Sequence, residues 1–180
     1  ANYYHSINAT NTQGIHLTDL ADDGSTNGNS ALTAYLDALQ LLANQDEYDI
    51  NLILTPGIIS DLTGHTRVAT RAIEVCENRG DAFYIMDPTA HNGTLTDAKT
   101  QAKTRDSNYA ATYWPWVQIG DSQTGIPRWV PPSVAVVGSY AFNDRVSHPW
   151  FAPAGLNRGT MPTVLQAQRK LTQSDRDSLY

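Results

Sequence analysis

The residue types best suited to acid–base or metal chemistry follow a predicted apolar strand. Asp87 and His91 could form an acid–base pair or part of a metal site, with Asp121 as a further polar group. Parallel α/β sheets bind ligands at the carboxyl ends of their strands, so a small-ligand hydrolase or another enzyme is one interpretation. The other is a strand-terminating turn in which Asp87 accepts backbone N–H groups. Asp-Pro and Asn-Gly are ordinary turn dipeptides, which favours the turn.

The remaining nucleophiles and metal-ligand types are scattered. Ser60 and Asp61 precede His65 closely, but they lie in a predicted loop and not on the strained elbow that presents a catalytic serine. Cys76 has no CxxC partner, and no HExxH, GxGxxG or GxxxxGK[ST] pattern is present. The five histidines are widely spaced: His5, His16, His65, His91 and His148. We therefore expect no catalytic residue, no cofactor-binding residue and no metal ligand.

Aromatic side chains are concentrated in one stretch of the second half of the chain. An exposed row of such rings could stack on sugars, so an aromatic-lined carbohydrate-binding module is a second alternative. No Lys or Arg is interleaved between residues 109 and 127, which favours core packing or a protein interface. The residues are Tyr109, Tyr113, Trp114, Trp116 and Trp129.

Length and charge limit the class of protein further. The 180 residues, 41% of them hydrophobic, suit a single domain, and the formal net charge of −6 argues against nucleic acid as a partner. No apolar run approaches a membrane span, so no membrane partner is expected. Residues 1–66 carry eight carboxylates and no Lys or Arg, whereas the remainder sums to +2. This asymmetry suits head-to-tail contacts between copies, although a solvated acidic face would also produce it.

The order of the predicted elements points to an α/β fold. Strands, helices and connections too long for hairpins form a βαβαβ core, to which further strands are added in a mixed sheet. Residues 21–30 are polar and rich in Gly and Asn, which predicts a mobile loop. The predicted helices are 30–44, 66–78, 94–105 and 131–144, and the predicted strands are 49–55 (ended by Pro56-Gly57), 81–87, 109–119 and 128–130.

Several stretches resemble the tail sheath proteins of contractile-tailed bacteriophages, above all those of T4-like phages. The resemblance covers about residues 48 to 160 and is most specific in its last third. The stretches are IEVCENRG at 73–80, AFYIMDP at 82–88, DSNYAATYWPWV at 106–117, RWVPPS at 128–133, GSYAFNDR at 138–145 and WFAPAG at 150–155.

The resemblance implies a structural virion protein without catalytic residues. Subunits of that family stack as hexameric rings in a helix around the tail tube. On baseplate triggering they contract and drive the tube through the host envelope for genome delivery. The implied partners are other copies, the tube and the baseplate, and the implied location is the virion after assembly in the host cytoplasm.

Family subunits are much longer than this chain. We therefore expect residues 1–180 to be a single α/β domain from the middle of a subunit, with the tube and baseplate contacted through other regions. The charge asymmetry adds the hypothesis that carboxylates among residues 19–61 face Lys or Arg of another copy.

Overall fold

Twelve helices and strands follow one another in the part of the chain that the structure, a computed structural model, describes: residues 30–62, 64–148 and 150–179. The predicted mobile loop at 21–30 lies outside the described residues except for Ser30. The elements are α1 (Ser30–Leu42), β1 (Leu52–Ile59), α2 (His65–Arg79), β2 (Phe83–Asp87), α3 (Leu95–Lys103), β3 (Ala110–Thr112), β4 (Val117–Gly120), β5 (Pro127–Val130), α4 (Pro132–Val146), α5 (Gly155–Arg158), β6 (Val164–Ala167) and α6 (Gln173–Leu179).

The predicted α/β class is confirmed. Strands β1, β2 and β3 pair in parallel in that order, joined by α2 and α3 as the βαβαβ pattern predicts. The parallel and antiparallel pairs lie in two separate sheets, because β5, β4 and β6 form an antiparallel sheet of their own. None of the described helices has the length and apolar character that crossing a membrane requires.

Two strand boundaries differ from the prediction. The single strand predicted over 109–119 is wrong, because β3 and β4 belong to different sheets on either side of Pro115. Proline has no N–H to donate to a ladder, so the chain leaves the first sheet before it. The stop predicted at Pro56-Gly57 is also wrong. Strand β1 continues to Ile59 through an irregular register, with Gly57 at a φ of 92° that favours glycine.

Two local sequence signals predict helix boundaries: Thr94 with Asp97 for the start of α3, and Gly80 for the end of α2. Both predictions are confirmed. Thr94 accepts the N–H of Asp97, whose carboxylate accepts the N–H of Thr94, so the capping box starts α3. Gly80 ends α2 in the left-handed conformation and donates its N–H to the carbonyl of Cys76.

Strand β2 sends alternate side chains to opposite faces of the parallel sheet. Tyr84 and Met86 join the apolar core with α1 and α2. On the other face Phe83 stacks on Tyr140 of α4, and Asp87 hydrogen-bonds to the start of that helix. Helices α1 and α2 therefore lie on one side of the sheet and α4 on the other.

Spacings of three and four residues predict one apolar face on helix α1, formed by Leu32, Tyr35, Leu36, Leu39 and Leu42. The structure follows this pattern with one exception. Leu32 and Leu39 are buried in the core, and Leu36 packs against it. Tyr35, predicted to belong to the same apolar face, is exposed.

Candidate functional site

The carboxylate of Asp87 links the parallel sheet to the first turn of α4. It is buried at the end of β2, where Oδ1 accepts the Ser133 N–H at 3.1 Å and Oδ2 accepts the Ser133 hydroxyl at 2.7 Å. Burial raises the pKa of Asp87 to about 6, while the two bonds from Ser133 act in the opposite direction. The donor is thus a helix 46 residues away in sequence, not the turn that follows the strand.

The other two members of the proposed acid–base group lie in different surroundings. The His91 ring contacts those of Trp116 and Trp129, with centroid distances of 5.4 and 5.2 Å. Asp121 closes the turn before β5, where it accepts the Thr124 hydroxyl at 2.7 Å and the Arg128 Nε–H at 3.2 Å. Hydrogen bonds, foremost that from Thr124, lower the pKa of Asp121 to about 2. The structure therefore does not bring these groups together with Asp87.

The serine–histidine pair is also engaged in structural contacts. Ser60 donates its hydroxyl to Gln101 Oε1 at 3.1 Å. The buried His65 accepts the Ile59 N–H on Nδ1 at 3.0 Å, so this nitrogen is not available to take a proton from a serine. Burial raises the pKa of the Cys76 thiol to about 11, which keeps it protonated and unreactive at neutral pH.

No group of three or more His, Cys, Asp or Glu side chains suited to a metal ion occurs among the residues for which the structure gives positions. The observation covers residues 30–62, 64–148 and 150–179.

The aromatic residues between 109 and 129 are half-buried and engaged with neighbouring elements. Trp116 donates its Nε1–H to the Thr89 carbonyl at 2.8 Å, and the Tyr113 and Tyr140 hydroxyls are 2.7 Å apart. These contacts tie the loop after β2 and helix α4 to the segment that connects the two sheets. They do not form the exposed row of rings that a sugar-binding platform requires.

The exposed aromatic surface lies instead on and after α4. Trp150 is 77% exposed and Leu156 is 91% exposed. The His148 and Trp150 rings are nearly parallel, at an interplanar angle of 7° and a centroid distance of 4.4 Å. We call the exposed apolar residues along the chain from α4 to α5 the α4–α5 surface; they are Phe142, Val146, Trp150, Phe151 and Leu156.

Two arginines are held against the rings of the α4–α5 surface. The Arg145 guanidinium lies 5.5 Å from the Phe142 ring centroid, and that of Arg158 lies 4.4 Å from the Phe151 centroid. Cation–π contacts of this kind keep a charge at the border of an apolar patch. Arginine and aromatic residues are also the types most often dominant in protein interfaces.

A groove of about 600 Å³ lies between α4 and the segment that precedes β6, with Phe142 and Arg145 in its wall. Gly138 lies in the groove wall, and a Cβ added there would have no atom within 4 Å. The apolar residues of the wall include Ala135, Ala141, Phe142, Met161 and Pro162. Sequence reasoning missed this site, although the resemblance at 138–145 and 150–155 covers part of it. A glycine inside the predicted helix also suggests close packing at Gly138, and the open space there shows that this prediction is wrong.

A second surface, on α1, has the opposite charge. Its side chains at successive turns are exposed: Ala34, Asp37, Ala38 and Leu41. Spacings of three and four residues place them on one side of the helix. The loop after α1 adds three exposed carboxylates: Asp46, Glu47 and Asp49. We call these seven residues the acidic α1 surface. Its four carboxylates form no ion pair with any other residue whose position is described.

An α/β domain whose polar groups serve structural contacts, and which exposes an apolar patch and an acidic surface, is typical of proteins that act by binding other macromolecules. Residues 26–180 match the family described as the phage tail sheath protein central domain. The chain belongs to this family.

Two curated relatives agree with this assignment. The tail sheath protein of Enterobacteria phage T4 is 25% identical over 177 residues, which cover 87% of this chain and 27% of the relative. The tail sheath protein of Vibrio phage KVP40 is 33% identical over 97 residues, which cover 53% of this chain and 13% of the relative. The chain thus spans about a quarter or less of the length of these relatives.

Proposed function

We propose that this chain is part of a contractile tail sheath subunit. Copies polymerise around a tail tube, in hexameric rings stacked as a helix, and contract when a baseplate triggers them. Contraction drives the tube through the host envelope for genome delivery. The subunit assembles in the host cytoplasm and then resides in the virion.

The family match over residues 26–180 carries this proposal. The contacts of the candidate catalytic groups support a structural role and not a catalytic one. Asp87 anchors a helix, His91 packs between tryptophans, and Asp121 closes a turn. A subunit that moves as a body during contraction needs such groups to hold its own fold together.

Electron microscopy of the full-length protein tests the proposal. We expect striated tubes of uniform diameter, with helical symmetry visible in averaged images. A protein that stays monomeric at high concentration, and that does not add to tail tubes when these are supplied, would contradict a sheath function.

A further inference from the structure

The α4–α5 surface and the acidic α1 surface lie on opposite sides of the parallel sheet. Tyr84 and Met86 point toward the core shared with α1 and α2. Phe83 and Asp87, which alternate with them, point toward Tyr140 and Ser133 of α4. The two surfaces therefore cannot meet within one copy of the folded chain.

The two surfaces have complementary charge. The acidic α1 surface carries four carboxylates, and Arg67 and Arg71 of α2 lie beside one of them, Asp37, in the wall of an adjoining groove. The segment that forms the groove and the α4–α5 surface, residues 132–163, contains Arg145, Arg158 and one carboxylate, Asp144. Arg145 lies in the groove wall itself. An acidic, partly apolar helix is thus the kind of partner this groove fits.

The residue spacing of the acidic α1 surface also suits binding in a groove. The acidic α1 surface presents residues at positions i, i+3, i+4 and i+7 of a helix, the spacing with which helices bind in grooves. Ala34 and Ala38 allow close approach, while Leu41, 62% exposed, projects between Asp37 and the carboxylates that follow the helix. The open space next to Gly138 offers room for such a side chain.

We propose that the groove beside α4 binds helix α1 of a second copy of this chain, with Leu41 against Gly138 and Asp37 facing Arg145. The inference rests on the proposed function, since it names the contact through which sheath copies join. A contact between two different surfaces on opposite sides of the domain is heterologous. Such a contact joins copies into a ring if the rotation between them closes, and into an open helical chain if it does not, so it suits a sheath of stacked rings.

Disulfide crosslinking of the full-length protein tests this contact. The native Cys76 is buried, so new surface cysteines react without competition from it. We expect oxidation of mixed Leu41→Cys and Gly138→Cys proteins to give a dimer, and each protein alone to stay uncrosslinked. A chain with both substitutions gives a ladder of multimers. Ile126→Cys, exposed on the turn before β5, is the matched control for random collision.

Charge exchange provides a second readout. Asp37→Lys raises the protein concentration needed for assembly about tenfold, and Arg145→Glu in the same chain restores assembly. Glu77→Lys, an exposed change of the same sign outside both surfaces, leaves assembly unchanged.

The outcomes separate this inference from the proposed function. Tubes that form normally, with no more crosslinking in the mixture than with Ile126→Cys, overturn the contact and leave the sheath function standing. Crosslinking of Gly138→Cys alone also overturns it, because that would be a symmetric contact. If neither tubes nor crosslinks form, both proposals fail.

Discussion

The two faces of the parallel sheet are covered by helices in different ways. Toward α2, the contacts are apolar: Val68, Ala72 and Cys76 are fully buried against the sheet. Toward α4, buried polar groups make directional bonds. Ser133 binds Asp87 of the sheet. Ser139 donates to the Thr160 carbonyl at 3.1 Å and Asn143 donates to the Phe151 carbonyl at 2.8 Å, and these two bonds join α4 to the segment that follows it.

This difference shows how one domain can combine a permanent core with an outward binding surface. Apolar burial toward α2 is non-directional and supplies stability. Hydrogen bonds toward α4 fix the position of that helix and of the segment after it. Phe142 of α4 can then remain exposed beside the groove, whose wall includes the bonded pair Ser139 and Thr160.

The largest expected loss of stability comes from truncating a side chain of the apolar core. Leu39→Ala removes a core side chain that is 3% exposed and should lower the free energy of unfolding by about 3 kcal/mol. Leu41→Ala, two residues further along the same helix, is the matched control. It should change that free energy by less than about 0.5 kcal/mol. Urea unfolding of the two variants measures both values, and equal losses would show that α1 does not bury the face described.

The next largest effect comes from the Asp87 carboxyl, which bonds to Ser133 in the first turn of α4. The folded pKa of Asp87 is raised to about 6 from the ordinary value of 3.8. The folded protein therefore binds the proton more tightly than the unfolded chain. The bound proton therefore adds to the free energy of unfolding. This addition is full below about pH 4 and is lost as the pH rises to about 6.

Asp87→Asn keeps an acceptor for the Ser133 N–H and a donor toward its hydroxyl, as a protonated carboxyl would. We expect the free energy of unfolding of the parent chain to fall by on the order of 2 kcal/mol, relative to Asp87→Asn, between pH 4 and pH 7. Parallel urea titrations at both pH values measure the difference. If the free energies of unfolding of the two proteins changed by the same amount between these pH values, the role given to this carboxyl would be wrong.

The smallest effect compares two glycines with equal free space. Gly138→Ala, in the middle of α4, should raise the free energy of unfolding by about 0.5 to 1 kcal/mol, because alanine favours a helix. Gly57→Ala, in β1 at a φ of 92°, should lower it by about 1 kcal/mol through backbone strain. Thermal unfolding of the two variants in one buffer gives both signs. A loss of stability in Gly138→Ala would mean that the groove is not open.

Much of the fold could be predicted from local patterns. The apolar spacing of α1 and α2, the stop at Gly80 and the capping box at Thr94 depend on residues within a few positions of one another. The two wrong strand boundaries depend on distant partners. Strand β1 passes through Pro56-Gly57 because β2 offers a partner again at Asp87, and β3 and β4 separate because their partners lie in different sheets.

The candidate site also has features that the sequence determines and features that depend on the tertiary structure. The sequence alone determined the α/β class, the acidic character of the first third and the resemblance to tail sheath proteins, because composition, periodicity and motif wording are properties of the chain itself. Only the tertiary structure decided that Asp87 binds Ser133, and that Trp150 and Leu156 are exposed while Trp116 packs beside His91. Such assignments depend on which distant segments lie next to each side chain and on whether water reaches it. The residues adjacent in sequence determine neither.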